Sequence, residues 1–190
     1  MRRRLGKVAA LSTGFPFRGR VEAQDDGTIP VIQARDIGHL SGSAPNDLMR
    51  LHEEARYQRH FLKPDSILMQ ARGERLASDI FKGAVPTIAG QGLFVLKPDS
   101  VLLPEFLLWY LRHPRTRTAL LASCRGTRIP FLPKKNLEDL EVPIPPLEQQ
   151  QKVIELDRIQ TEHKRLTKRL LELNDELMNA ATYNVVSANT

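Results

Sequence analysis

The sequence predicts an α+β protein, in which a mixed small-sheet domain is followed by one long coiled-coil helix. Three observations support this fold class. Short β-compatible runs between turn residues extend to about residue 100, helical spacing of apolar residues begins at Pro104, and residues 147–181 contain neither glycine nor proline. We therefore expect a globular domain at residues 1–145, a helix at 146–181 and a flexible tail at 182–190.

Five short runs in the N-terminal part favour β-strands, because each carries apolar or β-branched residues next to turn residues. They are Lys7–Ser12, Pro30–Ile37, Ser66–Ala71, Ala84–Ala89 and Gly92–Lys97. The sequence Lys-Pro-Asp-Ser occurs at residue 63 and again at residue 97. Proline, aspartate and serine together are typical of a turn, and we interpret the two copies as one turn type used twice rather than as an internal repeat.

Helical spacing begins where a proline can occupy the first turn. Apolar and aromatic residues between positions 106 and 111 fit a helix that starts at Pro104. His113-Pro114 ends this helix, because the residue before a proline is disfavoured in the helical conformation. A second short helix is expected at about Arg115–Ser123, and a strand at Leu140–Ile144 closes the domain.

The C-terminal part carries a heptad pattern that follows the prolines at 143, 145 and 146. Steps of three and four residues separate Leu156, Ile159, His163, Leu166, Leu170, Leu173, Leu177 and Ala180. Such a narrow apolar seam indicates a helix that packs along another helix. We interpret His163, a polar residue within the seam, as one that sets the register or the number of helices rather than as a ligand.

The charge distribution points to a polyanionic partner. The chain has a formal net charge of +6 and an isoelectric point of about 9.7. Residues 1–145 contain 22 lysines and arginines against 15 aspartates and glutamates, a net charge of +7, whereas residues 146–190 contain 6 against 7 and are nearly neutral. Excess positive charge on the body favours a nucleic acid over a membrane surface.

The sequence predicts a cytoplasmic protein without a catalytic site. Cys124 is the single cysteine, and no apolar segment follows the basic start of the chain to form a signal peptide or a membrane span. No glycine-rich phosphate loop is present, and the histidines lack metal-ligand spacing. We therefore predict no catalytic residue, no cofactor and no metal ion, and we interpret Cys124 as a buried thiol.

Binding remains as the expected function, and the candidate contacts are basic residues. Lysine and arginine on loops beside glycine can approach phosphates closely, and arginine can bind guanine through two hydrogen bonds. The predicted DNA-binding residues are Arg35, Arg72, Arg75, Lys82, Arg125, Arg128, Lys134 and Lys135. The sequence does not separate those that contact bases from those that contact phosphates.

The junction between body and helix resembles a known family. Residues 137–148 have the sequence Leu-Glu-Asp-Leu-Glu-Val-Pro-Ile-Pro-Pro-Leu-Glu and are followed by Gln149-Gln150-Gln151. This passage, with the long helix after it, resembles the end of a target-recognition domain in specificity (S) subunits of type I restriction-modification systems. Other segments fit the same pattern: Leu5–Val8 with Ser12–Gly14, Ile29–Ile32, Leu62–Leu68 and Gly126–Pro130.

The resemblance implies a non-catalytic subunit that positions an enzyme on DNA. Full-length members of that family carry two recognition domains and two antiparallel helices, whereas this sequence has one of each. The resemblance therefore implies a homodimer that recognises a bipartite site in double-stranded DNA, together with methyltransferase (M) and restriction (R) subunits. The alternative left by the residues alone is a coiled-coil adaptor whose basic globular head binds protein.

Overall fold

A computed structural model describes residues 1–187 with the exception of residues 18, 20, 21, 39, 41–47 and 127, and without the side chains of 184–186. The chain forms two compact units, residues 1–150 and the segment from residue 151 onward. The strands and helices are β1 (Arg2–Arg4), β2 (Ala9–Thr13), β3 (Ile29–Ile32), β4 (Met49–Leu51), β5 (Ser66–Gln70), β6 (Ser78–Phe81), β7 (Ile88–Ala89), β8 (Leu93–Pro98), α1 (Pro104–Arg112), α2 (Pro114–Ala122), α3 (Lys134–Glu138), β9 (Glu141–Pro143) and α4 (Leu147–Ser187). The predicted α+β class is confirmed.

The largest sheet is antiparallel and has the strand order β2-β8-β5-β6. Its two central strands have apolar middles, residues 67–69 of β5 and 93–96 of β8, and Ile67, Leu68 and Leu96 have no exposed surface. Helix α1 packs against β5, β6 and β8 through Phe106 and Leu107, which are buried as well. The sheet is therefore covered, and burial of this apolar surface supplies the main stabilisation of the body.

A smaller sheet has the order β4-β3-β7, with β3 and β7 parallel. The chain joins it to the larger sheet at Gly14, whose backbone N–H donates to the carbonyl of Leu93, while the next residue, Phe15, bridges to Gly90. A Cβ atom on Gly14 would lie 2.0 Å from the carbonyl oxygen of Gly90. Glycine is required there because two backbones approach too closely for any side chain.

The beginning and the end of the body meet in a two-stranded sheet. Strand β1 pairs antiparallel with β9, so that Arg2 lies opposite Pro143 and Arg4 opposite Glu141. Two further backbone hydrogen bonds extend the pairing, from Leu5 to the carbonyl of Leu140 and from Ile144 to the carbonyl of Met1. Leu5, with no exposed surface, anchors this corner to the core.

Gln150, in the first turn of α4, is fully buried and makes three side-chain hydrogen bonds within the body. Its Oε1 accepts from the backbone N–H of Leu103 at 2.8 Å, immediately before α1. Its Nε2 donates to the carbonyls of Val101 and Pro145, each at 2.9 Å. One amide side chain thus satisfies three backbone groups that otherwise lack a partner from regular structure.

A second buried polar group, the carboxylate of Asp79 on β6, contacts the other end of α1. One carboxylate oxygen accepts from the backbone N–H groups of Gly38 and Leu40, each at 3.2 Å. The other oxygen accepts from the guanidinium of Arg112 at 3.2 Å, and the same guanidinium donates to the carbonyl of Ser78 at 2.8 Å. The charge pair ties α1, β6 and the segment after β3 together.

Several predicted boundaries were wrong. The run Pro30–Ile37 is a strand only as far as Ile32 and then forms a 3-10 turn at Ala34–Asp36, and only Ile88–Ala89 of the run Ala84–Ala89 is a strand. The residues Arg2–Arg4 form β1, since β9 supplies their backbone partners. Strands β4 and β6 were not predicted.

The long helix was predicted, and its observed bounds are Leu147–Ser187. It therefore extends six residues beyond the expected end at residue 181, into the segment that was predicted to be a flexible tail. Residues 188–190 of that segment lie outside the described residues. Along its surface Glu162 pairs with Arg165 at 2.7 Å, and Arg169 lies 3.5 Å from Glu172. Among the described residues, the search for a helix capable of crossing a membrane found none.

Candidate nucleic-acid interface

Two arginine-containing loops, residues 72–75 and 125–131, lie side by side and are called here the paired loops; Thr127 lies outside the described residues. Phe131 joins them, because it forms isolated β-bridges with both Arg72 and Arg125. The backbone N–H of Gly73 also donates to the carbonyl of Pro130 at 2.9 Å. Two segments that are far apart in the sequence thus form one surface.

The guanidinium groups of the paired loops point away from the core and have no carboxylate partner in the described part of the chain. Arg72 lies over the ring of Phe131, with 5.4 Å between the guanidinium carbon and the ring centroid. Arg75, Arg125 and Arg128 are exposed, and no ion pair within 4.0 Å involves any of them in the described structure. The paired loops thus hold four arginines against one carboxylate, that of the exposed Glu74, and this net positive charge favours binding of an anion.

Lys82 does not join this cluster, although the sequence placed it among the DNA-binding candidates. Ser66 of β5 pairs with Phe81 of β6, and Met69 pairs with Ser78, so Lys82 lies at the end of this strand pair opposite the loop that carries Arg72. Its ammonium group donates to Asp65 at 2.7 Å and to Glu105 at 2.6 Å. Partial burial acts to lower the pKa of Lys82, but the two hydrogen bonds outweigh it and raise this pKa above its ordinary value.

The lysines at 134 and 135 were expected in a basic loop, but they lie in the helix α3. Lys134 borders the same groove as Arg72 and Phe131, and its ammonium group is 3.5 Å from Glu138. The adjacent Lys135 pairs with Asp139 at 3.2 Å. Successive helical positions diverge by about a quarter turn or more, so only Lys134 adds to the surface of the paired loops.

Arg35 borders a neighbouring groove. It lies in the 3-10 turn Ala34–Asp36, is exposed, and is 3.8 Å from the carboxylate of Asp36. Ala34 borders this groove as well as that of Arg72, and its carbonyl accepts a 2.7 Å hydrogen bond from Gln70. The backbone next to Arg35 is therefore fixed close to the paired loops.

The structure adds three cations that the sequence analysis missed. Arg59, Lys63 and Lys97 border one groove together with Lys134, which is shared with the groove of Arg72. All three are exposed and have no ion pair among the described residues. Lys63 and Lys97 are the first residues of the two Lys-Pro-Asp-Ser sequences, and this recurrence was the signal available to find them.

Neither a metal-binding cluster nor an activated thiol is found among the described residues. No group of three or more histidine, cysteine or acidic side chains there is arranged to hold a metal ion. Cys124 is half-buried, its Sγ donates to the carbonyl of Leu120 at 3.4 Å, and burial raises the pKa of its thiol. A raised pKa disfavours the nucleophilic thiolate at neutral pH.

The residues of the predicted dimer interface lie along one side of α4. Leu156, Ile159, Leu166, Leu170, Leu173 and Leu177 are between 47% and 66% exposed, and His163 is exposed as well. A seam of this extent on a single helix leaves a large apolar area in contact with water. The exposure is consistent with the predicted interface, which remains a prediction.

A family model described as the type I restriction modification DNA specificity domain matches residues 1–174. A relative, the specificity subunit of the type I restriction enzyme EcoR124I/EcoR124II from Escherichia coli, is 22% identical over 153 residues. The match covers 78% of this chain and 37% of that relative.

Solved structures of low sequence identity share the fold. The HsdS subunit from Thermoanaerobacter tengcongensis aligns with a TM-score of 0.63 and 24% identity, covering 85% of this chain and 37% of that one. A chain from a type I R-M system solved to explain complex assembly and conformational transition gives a TM-score of 0.69 at 22% identity, covering 94% and 43%. The chain thus spans about two-fifths of the length of these relatives.

Proposed function

The chain belongs to the type I restriction modification DNA specificity family, and from this premise we propose that residues 1–145 recognise a specific sequence in double-stranded DNA. A member of this family is a specificity component, and the chain is not itself an enzyme. In the proposal it determines where partner subunits act, and the chemistry belongs to those partners.

The paired loops carry the proposal. Their four arginines lack carboxylate partners among the described residues, and they lie in a body that holds the whole positive excess of the chain. Arginine can both contact the DNA backbone and read a base, because its planar guanidinium group can bind phosphate or the edge of guanine through two hydrogen bonds. Arg35 and Lys134 each lie within 4.0 Å of a carboxylate, but they border the grooves next to the paired loops and so extend the surface. Lys82 and Lys135 border neither groove, and their ion pairs argue for structural roles at those two positions.

We further propose that a second copy of the chain packs along α4. The support is the exposed heptad seam, since α4 presents an apolar stripe that a second helix of the same sequence can cover. In an antiparallel pair the two bodies are related by a two-fold axis, so the recognised DNA would be bipartite and palindromic. In this arrangement residues 146–181 act as the dimerisation and spacer helix.

The proposed partners are a methyltransferase (M) and a restriction (R) subunit, which the family membership supports. The cytoplasmic location expected from the sequence remains a prediction. The competing function, a coiled-coil adaptor with a protein-binding head, predicts binding with little dependence on salt. DNA binding that neutralises Z phosphates weakens with salt along a log–log slope of about −0.9Z.

The deciding experiment is co-expression of the chain with a type I methyltransferase subunit, followed by mapping of methylated positions across the host genome. We expect methylation at one bipartite motif, and we expect it to disappear when this chain is omitted. Replacing Arg72, Arg75, Arg125 and Arg128 together by alanine should abolish motif methylation while the complex still assembles.

The control replaces Arg115 and Arg117, two exposed arginines of α2, by alanine, and it is compared with a double alanine variant of Arg72 and Arg125 so that each removes two charges. The control removes surface charge outside the paired loops and should retain the motif. A methylation pattern that is identical with and without the chain would contradict the proposed function. Equal loss of methylation in both variants would assign the effect to net charge rather than to the paired loops.

A further inference from the structure

The loop 125–131 is closed at its base by regular backbone pairing. Arg125 and Phe131 exchange two hydrogen bonds of 2.8 Å, each donating its N–H to the carbonyl of the other. Gly126 begins the turn with φ +89°, a conformation that favours glycine, and a Cβ atom there would lie 3.3 Å from the carbonyl oxygen of Ile129. The loop is therefore closed at its base as a hairpin, with Thr127 outside the described residues.

The hairpin is also fixed from the side. Gly73 donates to the carbonyl of Pro130, and Leu132, which is fully buried, donates to the carbonyl of Ala71, each at 2.9 Å. Arg72 covers the ring of Phe131. These contacts all lie on the C-terminal arm of the hairpin, which directly follows Ile129, so they restrain the backbone next to this side chain.

The tip carries an apolar side chain that the fold does not bury. Ile129 is 63% exposed, whereas Leu132, three residues later, is fully buried in the core of the body. Its neighbours are Arg128 on one side and Pro130 on the other, and proline restricts the residue before it to an extended conformation. An exposed isoleucine on this loop, among arginines, suits a partner that takes apolar and cationic groups together.

We propose that Ile129 inserts as a wedge between neighbouring base pairs of the DNA, while the arginines of the paired loops hold the phosphates on either side. This inference rests on the proposed function. Side chains such as isoleucine and proline are known to act as wedges beside basic residues in proteins that bind the minor groove, where they unstack a base step and kink the duplex toward the major groove. Duplex DNA supplies both an apolar base stack and flanking negative charge, which a protein surface rarely combines.

The test uses the complex of this chain with its methyltransferase subunit, bound to a duplex that contains the mapped site. The fluorescent base 2-aminopurine replaces one adenine at a time, and its emission rises when stacking is lost. A methyltransferase that flips its target base also gives a signal at the methylated adenine. The wedge predicts an additional signal at a second position, which is present with the wild-type chain and absent with Ile129→Ala.

Matched variants separate the wedge from charge and from general loss of apolar surface. Ile129→Leu should retain the second signal, and so should Val85→Ala, which truncates another exposed apolar side chain. Ile129→Ala should weaken binding roughly tenfold, about what loss of the buried side-chain methylenes implies, with an unchanged salt slope because no charge is removed. Arg128→Ala should instead reduce the magnitude of that slope by about 1.

The outcomes distinguish this inference from the proposed function. A wild-type complex that binds and methylates its motif, but gives a signal only at the methylated adenine, overturns the wedge alone. Persistence of the second signal in Ile129→Ala overturns it as well. Loss of the methyltransferase subunit from the Ile129→Ala complex would overturn it and place Ile129 in a protein interface. Failure of the wild-type complex to recognise any motif removes the proposed function itself.

Discussion

Replacement of Gln150 by methionine tests whether one buried amide joins the first turn of α4 to the body. Methionine has a similar length but can make none of the three hydrogen bonds to Leu103, Val101 and Pro145. Each bond contributes about 1 kcal/mol net, and a buried backbone group left without a partner costs about 1–3 kcal/mol. Partial hydration of the freed groups offsets some of this cost, so we expect a loss of about 3–5 kcal/mol.

That loss is large compared with a total stability of about 5–15 kcal/mol for a domain. Urea unfolding, followed by the fluorescence of Trp109 in α1, measures it directly, because Trp109 is the single tryptophan. With a slope of about 2 kcal/mol per molar urea, the midpoint should fall by about 1.5–2.5 M. Gln149→Met is the matched control, since this adjacent glutamine is exposed. A fall of less than about 0.5 kcal/mol for Gln150→Met, or equal effects in both variants, would refute the reasoning.

Two further predictions concern α4. Leu166→Asp or Leu170→Asp places a charge in the apolar seam and should give monomers at micromolar concentration in sedimentation. The control Thr161→Asp, at an outer heptad position, should leave the dimer intact. Dimers in all three variants would exclude this seam as the interface. In an antiparallel pair centred between residues 165 and 166, Glu162 faces Arg169 of the second copy. Reversing either charge should weaken dimerisation by at most ~0.5–1 kcal/mol. The effect is small because Glu162 and Arg169 must leave intrahelical ion pairs to meet. Reversing both charges should restore dimerisation, because the pair is then re-formed with opposite signs. A double reversal without recovery would exclude this register.

The elements that the sequence predicted well are those specified by local pattern. The heptad repeat predicted α4, and proline at position 104 marked the start of α1. The central strands β5 and β8 were predicted because they are continuous apolar runs between turns. In each case the residues that define the element are close together in the sequence.

The elements that it missed depend on distant partners. Strand β1 consists of three exposed arginines, and nothing in that run indicates a strand until β9 is available to pair with it. The two Lys-Pro-Asp-Ser sequences also depend on their surroundings, because the first leads into β5 whereas the second lies at the end of β8. A turn motif specifies the local bend, and the surrounding chain decides what the bend connects.

The candidate interface likewise combines features that the local sequence predicts with features that depend on distant contacts. Arginines beside glycine were identified from sequence, but their assembly through Phe131 was not, because that contact joins loops that lie about 50 residues apart. Lys82 was chosen for its neighbour Gly83, and its ion pairs with Asp65 and Glu105 come from two other segments. The number of charges can be read from the sequence, whereas the ion pairs that neutralise them are known only from the folded structure.

The pairing of β1 with β9 has a consequence for the order of folding. Arg2 leaves the ribosome before Pro143, with nearly all of the body between them, so β1 waits unpaired while the intervening strands assemble. Contacts so distant in sequence form late, because the intervening chain must be ordered first. Three consecutive positive charges keep the waiting strand from joining the edge of another sheet. Pro143 leaves the ribosome just ahead of the first turn of α4, so a nascent body should become resistant to proteolysis only when the helix begins to emerge.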